Sequence, residues 1–252
     1  MRRTLTIFSL SLTAVLPAPV AAQTILLESD IWCPHTCAPD SAKPGYMIEI
    51  ARAVFETRGQ KVQYRVAPWP RAVANAVKGE TDGAVGATRD DSGGLLLPAQ
   101  PQGVTGNAVL VRNDAPWPWT GLTALAGKRV GITKDYSYGA EIDAWLAANP
   151  ARIEAVGGET PTENNLRKLA AGRIDVVIED AAVARYTLAQ MKMDGAVRIL
   201  HQDKAAPIFI AFTPANPKGG QYAKSLAEGM GELRQSGRLS AILAKYGLAD
   251  WQ

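Results

Sequence analysis

The chain has 252 residues, 47% of them hydrophobic, with 27 Lys and Arg against 24 Asp and Glu. That length and apolar content suit one large or two modest domains with a substantial core. The near-balance of charge, with no basic run outside the first residues, leaves no electrostatic footprint for nucleic acid or an anionic membrane.

The first residues read "MRRTLTIFSLSLTAVLPAPVAAQ". Arg2 and Arg3 precede an apolar run, and Val20, Ala21 and Ala22 offer small residues for cleavage before Gln23. This order predicts a secretory signal over residues 1–22, with an apolar run too short to span a bilayer. The segment carries both early arginines and no acid, so the exported chain is close to neutral. No later segment is apolar for long enough to be a membrane helix, and the expected location is the periplasm.

"TILLESD" reads as a short apolar strand. The stretch "WCPHTCAPD" that follows holds both cysteines of the chain, Cys33 and Cys37, around Pro34 and His35. Outside the cytosol, two nearby cysteines pair, so a disulfide-stapled loop is expected. The alternative is a metal or redox site. Cys-x-His-x-Cys has too few ligands for a metal unless His201 or a carboxylate joins, and it lacks the paired spacing of structural zinc sites.

"YMIEIARAVFETRG" places Met47, Ile50, Ala51, Val54 and Phe55 on one helical face and ends at Gly59. "KVQYRVAPW" alternates as a strand, "RAVANAVKG" is a short helix ending at Gly79, and "DGAVGA" is a small-residue strand. After "NAVLVRND" the pattern begins again. "GKRVGITK" is a strand, "GAEIDAWLAAN" a helix and "RIEAVGG" a strand. "NNLRKLAAG" is a helix, "IDVVIED" a strand and "AAVARYTLAQMKMD" a helix. Such alternation predicts an α/β fold with mostly parallel sheets. The two halves echo each other: Gly-x-x-Asp stands between helix and strand at Gly79/Asp82 and again at Gly172/Asp175.

"APIFIAFTPANP" is a strong strand, and two amphipathic helices broken near Gly237 follow it. If that strand crosses back, the last helices complete the first lobe. The expected division is then a first lobe of residues 23–110 and 206–252, with a second lobe of 111–205 inserted. Two connecting strands between them would form a hinge around a cleft.

Taken together these residues resemble the bacterial periplasmic solute-binding proteins of the type II, family 3 kind. That group includes the polar amino-acid receptors of ABC importers. Four stretches carry the likeness, in order: "GYMIEIARAVFETRG", "WPRAVANAVKGETDGAVGATRD", "LAGKRVGITKDYSYG", and "LAAGRIDVVIEDAAVARY" with the closing "GRLSAILAKYG". The resemblance implies two α/β lobes joined by a two-strand hinge with a small polar solute, an amino acid or related zwitterion, held between them. It implies no cofactor or metal, a monomer, and delivery of the solute to a membrane permease.

The same resemblance nominates the ligand-binding residues. In the family, a Thr-x-x-Arg pattern after a first-lobe strand meets an amino acid's carboxylate. Here the sequence is "GATRDDSGG": Thr88 matches, Arg89 is adjacent to it, and Asp91 stands where the arginine is expected. A guanidinium clamps a carboxylate bidentately, so Arg89 or Arg71 is the candidate clamp. Asp180 matches the position that often holds the ligand's ammonium, and as a residue at a helix start it is equally an N-cap.

Trp32, Trp69, Tyr136 and Tyr138 supply aromatic faces where a cleft is expected. Ser137 and the amides around Tyr138 open a helix, a place suited to an anionic group. Trp117 and Trp119 read as packing beside the hinge.

Two further readings share the fold. One is a sensory receptor that presents its ligand-bound form to a membrane signalling protein. The other is a hydrolyase, as in periplasmic cyclohexadienyl dehydratases, with Glu179 or Asp180 as general acid. No nucleophile elbow or HExxH motif is present, and the reading adopted is a receptor and not an enzyme.

Overall fold

The computed structural model describes residues 23–193 and 195–252; the expected leader at residues 1–22 lies outside the described residues. The first part of the chain runs β1 (Thr24–Ser29), α1 (Tyr46–Phe55), β2 (Lys61–Val66), α2 (Trp69–Lys78), β3 (Gly83–Ala87) and β4 (Gly103–Thr105). The middle part runs β5 (Asn107–Arg112), β6 (Val130–Thr133), α3 (Ala140–Ala148), β7 (Ile153–Val156), α4 (Pro161–Ala170), β8 (Val176–Asp180), α5 (Ala181–Met191) and β9 (Val197–Gln202). The chain closes with β10 (Ala206–Phe212), α6 (Gly219–Gln235) and α7 (Arg238–Ala244).

These strands form two five-stranded sheets, ordered β2-β1-β3-β10-β4 and β7-β6-β8-β5-β9. The two orders superimpose, with β1, β2 and β3 corresponding to β6, β7 and β8. Each sheet is mixed. Its three βα strands pair in parallel, while the strands leading to and from the other sheet pair antiparallel. The expectation of mostly parallel sheets therefore holds only for the three-strand core of each lobe.

The repeated Gly-x-x-Asp has a structural reason. Gly79 and Gly172 both take the left-handed conformation, at φ 78° and 67°, that ends a helix and turns the chain toward the sheet. The aspartate three residues on then grips a neighbouring strand reciprocally. Asp82 accepts from Leu26 N and donates its own amide to Leu26 O, both at 2.8 Å. Asp175 repeats this with Arg129, at 2.8 and 2.9 Å.

In the first lobe, α1 buries Tyr46, Met47, Ile48, Ile50, Ala51, Val54 and Phe55. They pack with Ile25, Leu27 and Phe212 of the sheet and with Tyr222, Leu226 and Met230 of α6. Each large side chain so buried contributes about 1.5–3 kcal/mol. The second sheet is covered on both faces. Ala108, Leu110 and Val177 point into one cluster, while Val109, Val111, Val176 and Ile178 point into another. That is why "AVLV" and "VVI" are unbroken apolar runs rather than alternating ones.

The chain passes between lobes twice. β5 pairs along its length with β8 and β9, so the first passage lies at Gly106, ahead of the expected boundary after residue 110. The second lies between Gln202 and Ala206. The two segments form one antiparallel ribbon, with Thr105 opposite Ala206 on one side and Ala108 opposite Gln202 on the other. After β10, α6 and α7 pack back onto the first lobe.

Candidate functional site

A cleft of about 560 Å³ opens between the lobes, at the carboxyl ends of the parallel strands. One wall is built from residues that follow β1 and β3 together with Trp69 at the start of α2. The opposite wall is the segment Tyr136–Ala140 with Asp143, and the floor is the hinge, from Thr105 to Asn107 and from Asp203 to Ala206. A second groove of about 450 Å³ continues it outward and shares Trp69, Asp91, Tyr136, Ser137 and Asp143 with it.

Trp32 reaches this cleft from a tightly built loop. Cys33 and Cys37 are disulfide-bonded with Cα atoms 4.8 Å apart, and Trp32 N donates to Thr36 O at 2.7 Å. The indole stacks on His35 at 4.0 Å and meets the bare face of Gly86. The start of α1 closes on the same loop at Gly45 (φ 107°), where a Cβ would stand 2.4 Å from His35 O. Only glycine permits that approach.

With both sulfurs in a disulfide, the metal alternative for Cys33, His35 and Cys37 falls away. Among the described residues no group of three or more His, Cys, Asp or Glu could hold a metal ion. The staple closes a very short loop and contributes about 2 kcal/mol through the unfolded chain. A Cys33→Ser/Cys37→Ser double variant should therefore lose no more than about 2 kcal/mol of stability, while its solute affinity drops at least tenfold. Denaturation and titration calorimetry on one preparation check this, and a stability loss with unchanged affinity contradicts it.

Six of the nine nominated ligand residues line the cleft: Trp32, Trp69, Thr88, Tyr136, Ser137 and Tyr138. Three do not. Arg71 is exposed outside the wall. The Arg89 guanidinium lies 5.1 Å over the Phe209 ring rather than in the cleft. Asp180 is 4% exposed and buried behind the hinge.

The Asp180 carboxylate accepts from Ala182 N (2.8 Å) and Val183 N (2.9 Å), as an N-cap does, and from His35 Nε2 (3.1 Å). Its other oxygen accepts from Thr105 Oγ1 (2.8 Å) and Gly106 N (3.1 Å). Burial works against its charge, but His35 and these donors prevail and hold the carboxyl below its ordinary range. Asp180 therefore ties a second-lobe helix, the first-lobe loop and the hinge together. It does not line the cleft.

The interior of the wall is set by a small hydrogen-bond network. Thr88 Oγ1 accepts from Asp91 N at 3.1 Å, and Asp91 in turn accepts from Trp69 Nε1 at 2.8 Å, orienting that indole. Tyr136 OH crosses the cleft to donate to Asp30. Burial raises the Asp30 pKa despite this bond. The expected helix start at Ser137 falls short of the helix, since α3 begins at Ala140, and the donors of Ser137 and Tyr138 are not free. Asp143, in the first turn of α3, accepts from Ser137 Oγ at 2.7 Å and from Tyr138 N at 2.9 Å. The phenol of Tyr138 is turned into the lobe, where its oxygen accepts from Thr133 N at 2.8 Å.

Asp91, which stands where the family's arginine is expected, lines the cleft, and sequence reasoning missed Asp30, Asp90, Asp143, Asp203 and Lys204, which also line it. Asp30 had a signal, since it directly follows an apolar strand. The others depend on which loops the fold brings together. Trp119 does pack beside the hinge, stacked on His201 at 5.0 Å.

Solved structures of similar architecture include a histidine kinase sensor domain with similarity to periplasmic binding proteins. It is 23% identical over 89% of this chain and 96% of its own, with a TM-score of 0.70. An ancestral arginine-binding protein bound to arginine is 20% identical over 88% and 97% of the two chains, at a TM-score of 0.71. The arginine-, lysine-, histidine-binding protein ArtJ from Geobacillus stearothermophilus is 18% identical over 91% and 97%, also at 0.71. These likenesses show the fold. No curated protein sequence matches. Residues 32–249 match the description of a known family. With its two mixed sheets, hinge ribbon and inter-lobe cleft, the chain belongs to the bacterial extracellular solute-binding proteins, family 3.

Proposed function

We propose that this protein is a periplasmic receptor that captures a small amino-bearing polar solute, of amino-acid size, between its lobes and delivers it to an ABC-type permease. The observation that carries this reading is the cleft, floored by the two hinge segments and walled by residues of both lobes. A solute held there touches both lobes at once, so binding and the relative position of the lobes are coupled. The hinge, with Gly106 between two paired segments, is the natural place for that adjustment. Among the described residues no helix is long and apolar enough to cross a membrane, in keeping with a receptor that meets its membrane partner by docking.

Two observations favour binding over turnover. Glu179 and Asp180, the candidate general acids, lie off the cleft wall. Glu179 also spends its oxygens on Thr133, Thr162 and the Asp180 amide. A second reading, in which the partner is a membrane sensor, draws on the likeness to a histidine kinase sensor domain.

Native mass spectrometry of protein purified from its own periplasm, followed by thermal shift across a solute panel, tests the proposal. One solute class should raise Tm progressively with its concentration, adding about 2.7 kcal/mol of stability at a hundredfold excess over Kd. A broad panel that leaves Tm unmoved overturns the receptor, and conversion of the bound solute replaces it with an enzyme.

A further inference from the structure

The cleft carries an unbalanced set of charges. Asp30, Asp90 and Asp91 come from the first lobe, Asp143 from the second and Asp203 from the hinge, and the outer groove adds Asp135. Lys204, exposed at the hinge, is the one basic side chain on these walls among the described residues. The two arginines nearest the wall in sequence are directed elsewhere, Arg89 onto Phe209 and Arg71 outward. Just ahead of α3, the donors of Ser137 and Tyr138 are taken by Asp143, which sets a carboxylate on the second-lobe wall.

A ligand carboxylate placed here would leave water to face like charges, with a single flexible lysine to answer it. A cation meets the reverse. It finds carboxylates on both walls and on the floor, and the faces of Trp32, Trp69 and Tyr136 for its charge or its alkyl stem. The acids are dispersed rather than gathered into a coordination shell, since no trio of metal-ligating side chains occurs among the described residues. Dispersed carboxylates suit an organic cation long enough to span them.

Resting on the receptor reading, we infer that the solute is an organic amine that carries no carboxylate, of the chemical class formed when a basic or aromatic amino acid loses its carboxyl group. Its ammonium sits among the wall aspartates, and its stem lies along the indoles.

Matched pairs isolate the carboxylate: 1,5-diaminopentane against lysine, agmatine against arginine, and tyramine against tyrosine. Each is titrated calorimetrically into the purified protein at about 0.05 M and about 0.3 M salt. In at least one pair the amine should bind at least tenfold more tightly than its amino acid and weaken severalfold at the higher salt. Asp90→Asn, a change at an exposed wall position, should lower that amine's affinity severalfold. An amino acid that binds as tightly as its amine, or tighter, overturns the charge assignment and leaves the receptor standing. Failure of every amine while another solute binds does the same. If no member of these pairs or of the wider panel binds, the receptor reading falls, and the assignment with it.

Discussion

Replacing Asp180 with alanine should cost about 3–5 kcal/mol of unfolding free energy, most of a typical domain's margin. Five donors converge on this carboxylate: the Ala182 and Val183 amides, His35 Nε2, Thr105 Oγ1 and the Gly106 amide. Removing it strips α5 of its N-cap, itself about 1 kcal/mol, and leaves donors on three different segments unpaired, those of His35 and Val183 buried. Asp180→Asn keeps the shape but exchanges an acceptor oxygen for a donor, and should fall between the wild type and alanine. Denaturant unfolding of the three proteins decides it. A loss under about 1 kcal/mol in the alanine variant, with solute affinity abolished, would instead restore Asp180 to the ligand-contact role that its sequence position suggested.

Glu179, one residue earlier, should make the protein less stable as pH rises through neutrality. Burial pushes its pKa up from 4.5 to about 7, against the bonds from Thr162, the Asp180 amide and Thr133, with the Asp180 charge adding to the rise. The folded protein therefore holds a proton on Glu179 that the unfolded chain has already lost. The stability this represents is complete below pH 4.5, falls as pH climbs, and is gone above about 7. The swing is about 3 kcal/mol.

Glu179→Gln removes the titration while keeping the contacts. Its amide oxygen accepts from Asp180 N, and its NH₂ donates to the rotatable hydroxyls of Thr133 and Thr162. The variant should match the wild type at pH 5 and exceed it at pH 8 by up to about 3 kcal/mol. Asp30, whose pKa burial also raises, is present in both proteins, so the difference between the two curves isolates position 179. Parallel curves from pH 5 to pH 8 would mean that the buried carboxyl is not protonated near neutrality.

Much of the fold was legible because its signals are local. The apolar face of α1, the left-handed caps at Gly79 and Gly172, and the break at Gly237 (φ 72°) all lie within a few residues of what they determine. The passage between lobes was harder. "NAVLVRND" reads as a connecting strand, whereas β5 lies wholly in the second sheet and the chain crosses just before it, at Gly106.

The site was legible in its aromatic part and not in its charged part, for a physical reason. Trp32, Trp69 and Tyr136 follow strands or open helices at the sheet edge, and such positions point into a cleft whatever their neighbours do. A charged side chain goes where its partner is, and those partners are distant in sequence. Arg89 turns to Phe209 on β10, and Asp180 is claimed by His35 and Thr105. Ser137 and Tyr138, ahead of α3, spend their donors on Asp143. Each redirection removes a group suited to an amino acid's carboxylate or ammonium. What remains in the cleft is a ring of aspartates that no single motif announces.

The central claim is that a solute lies between the lobes with both of them in contact. A crystal structure of the protein grown with its tightest-binding solute measures this directly. The account predicts the solute in the cleft, against Trp32 and Trp69 on one side and Tyr136 on the other, with the hinge at Gly106 beneath it. A solute seated on one lobe alone, or anywhere outside that cleft, would contradict it.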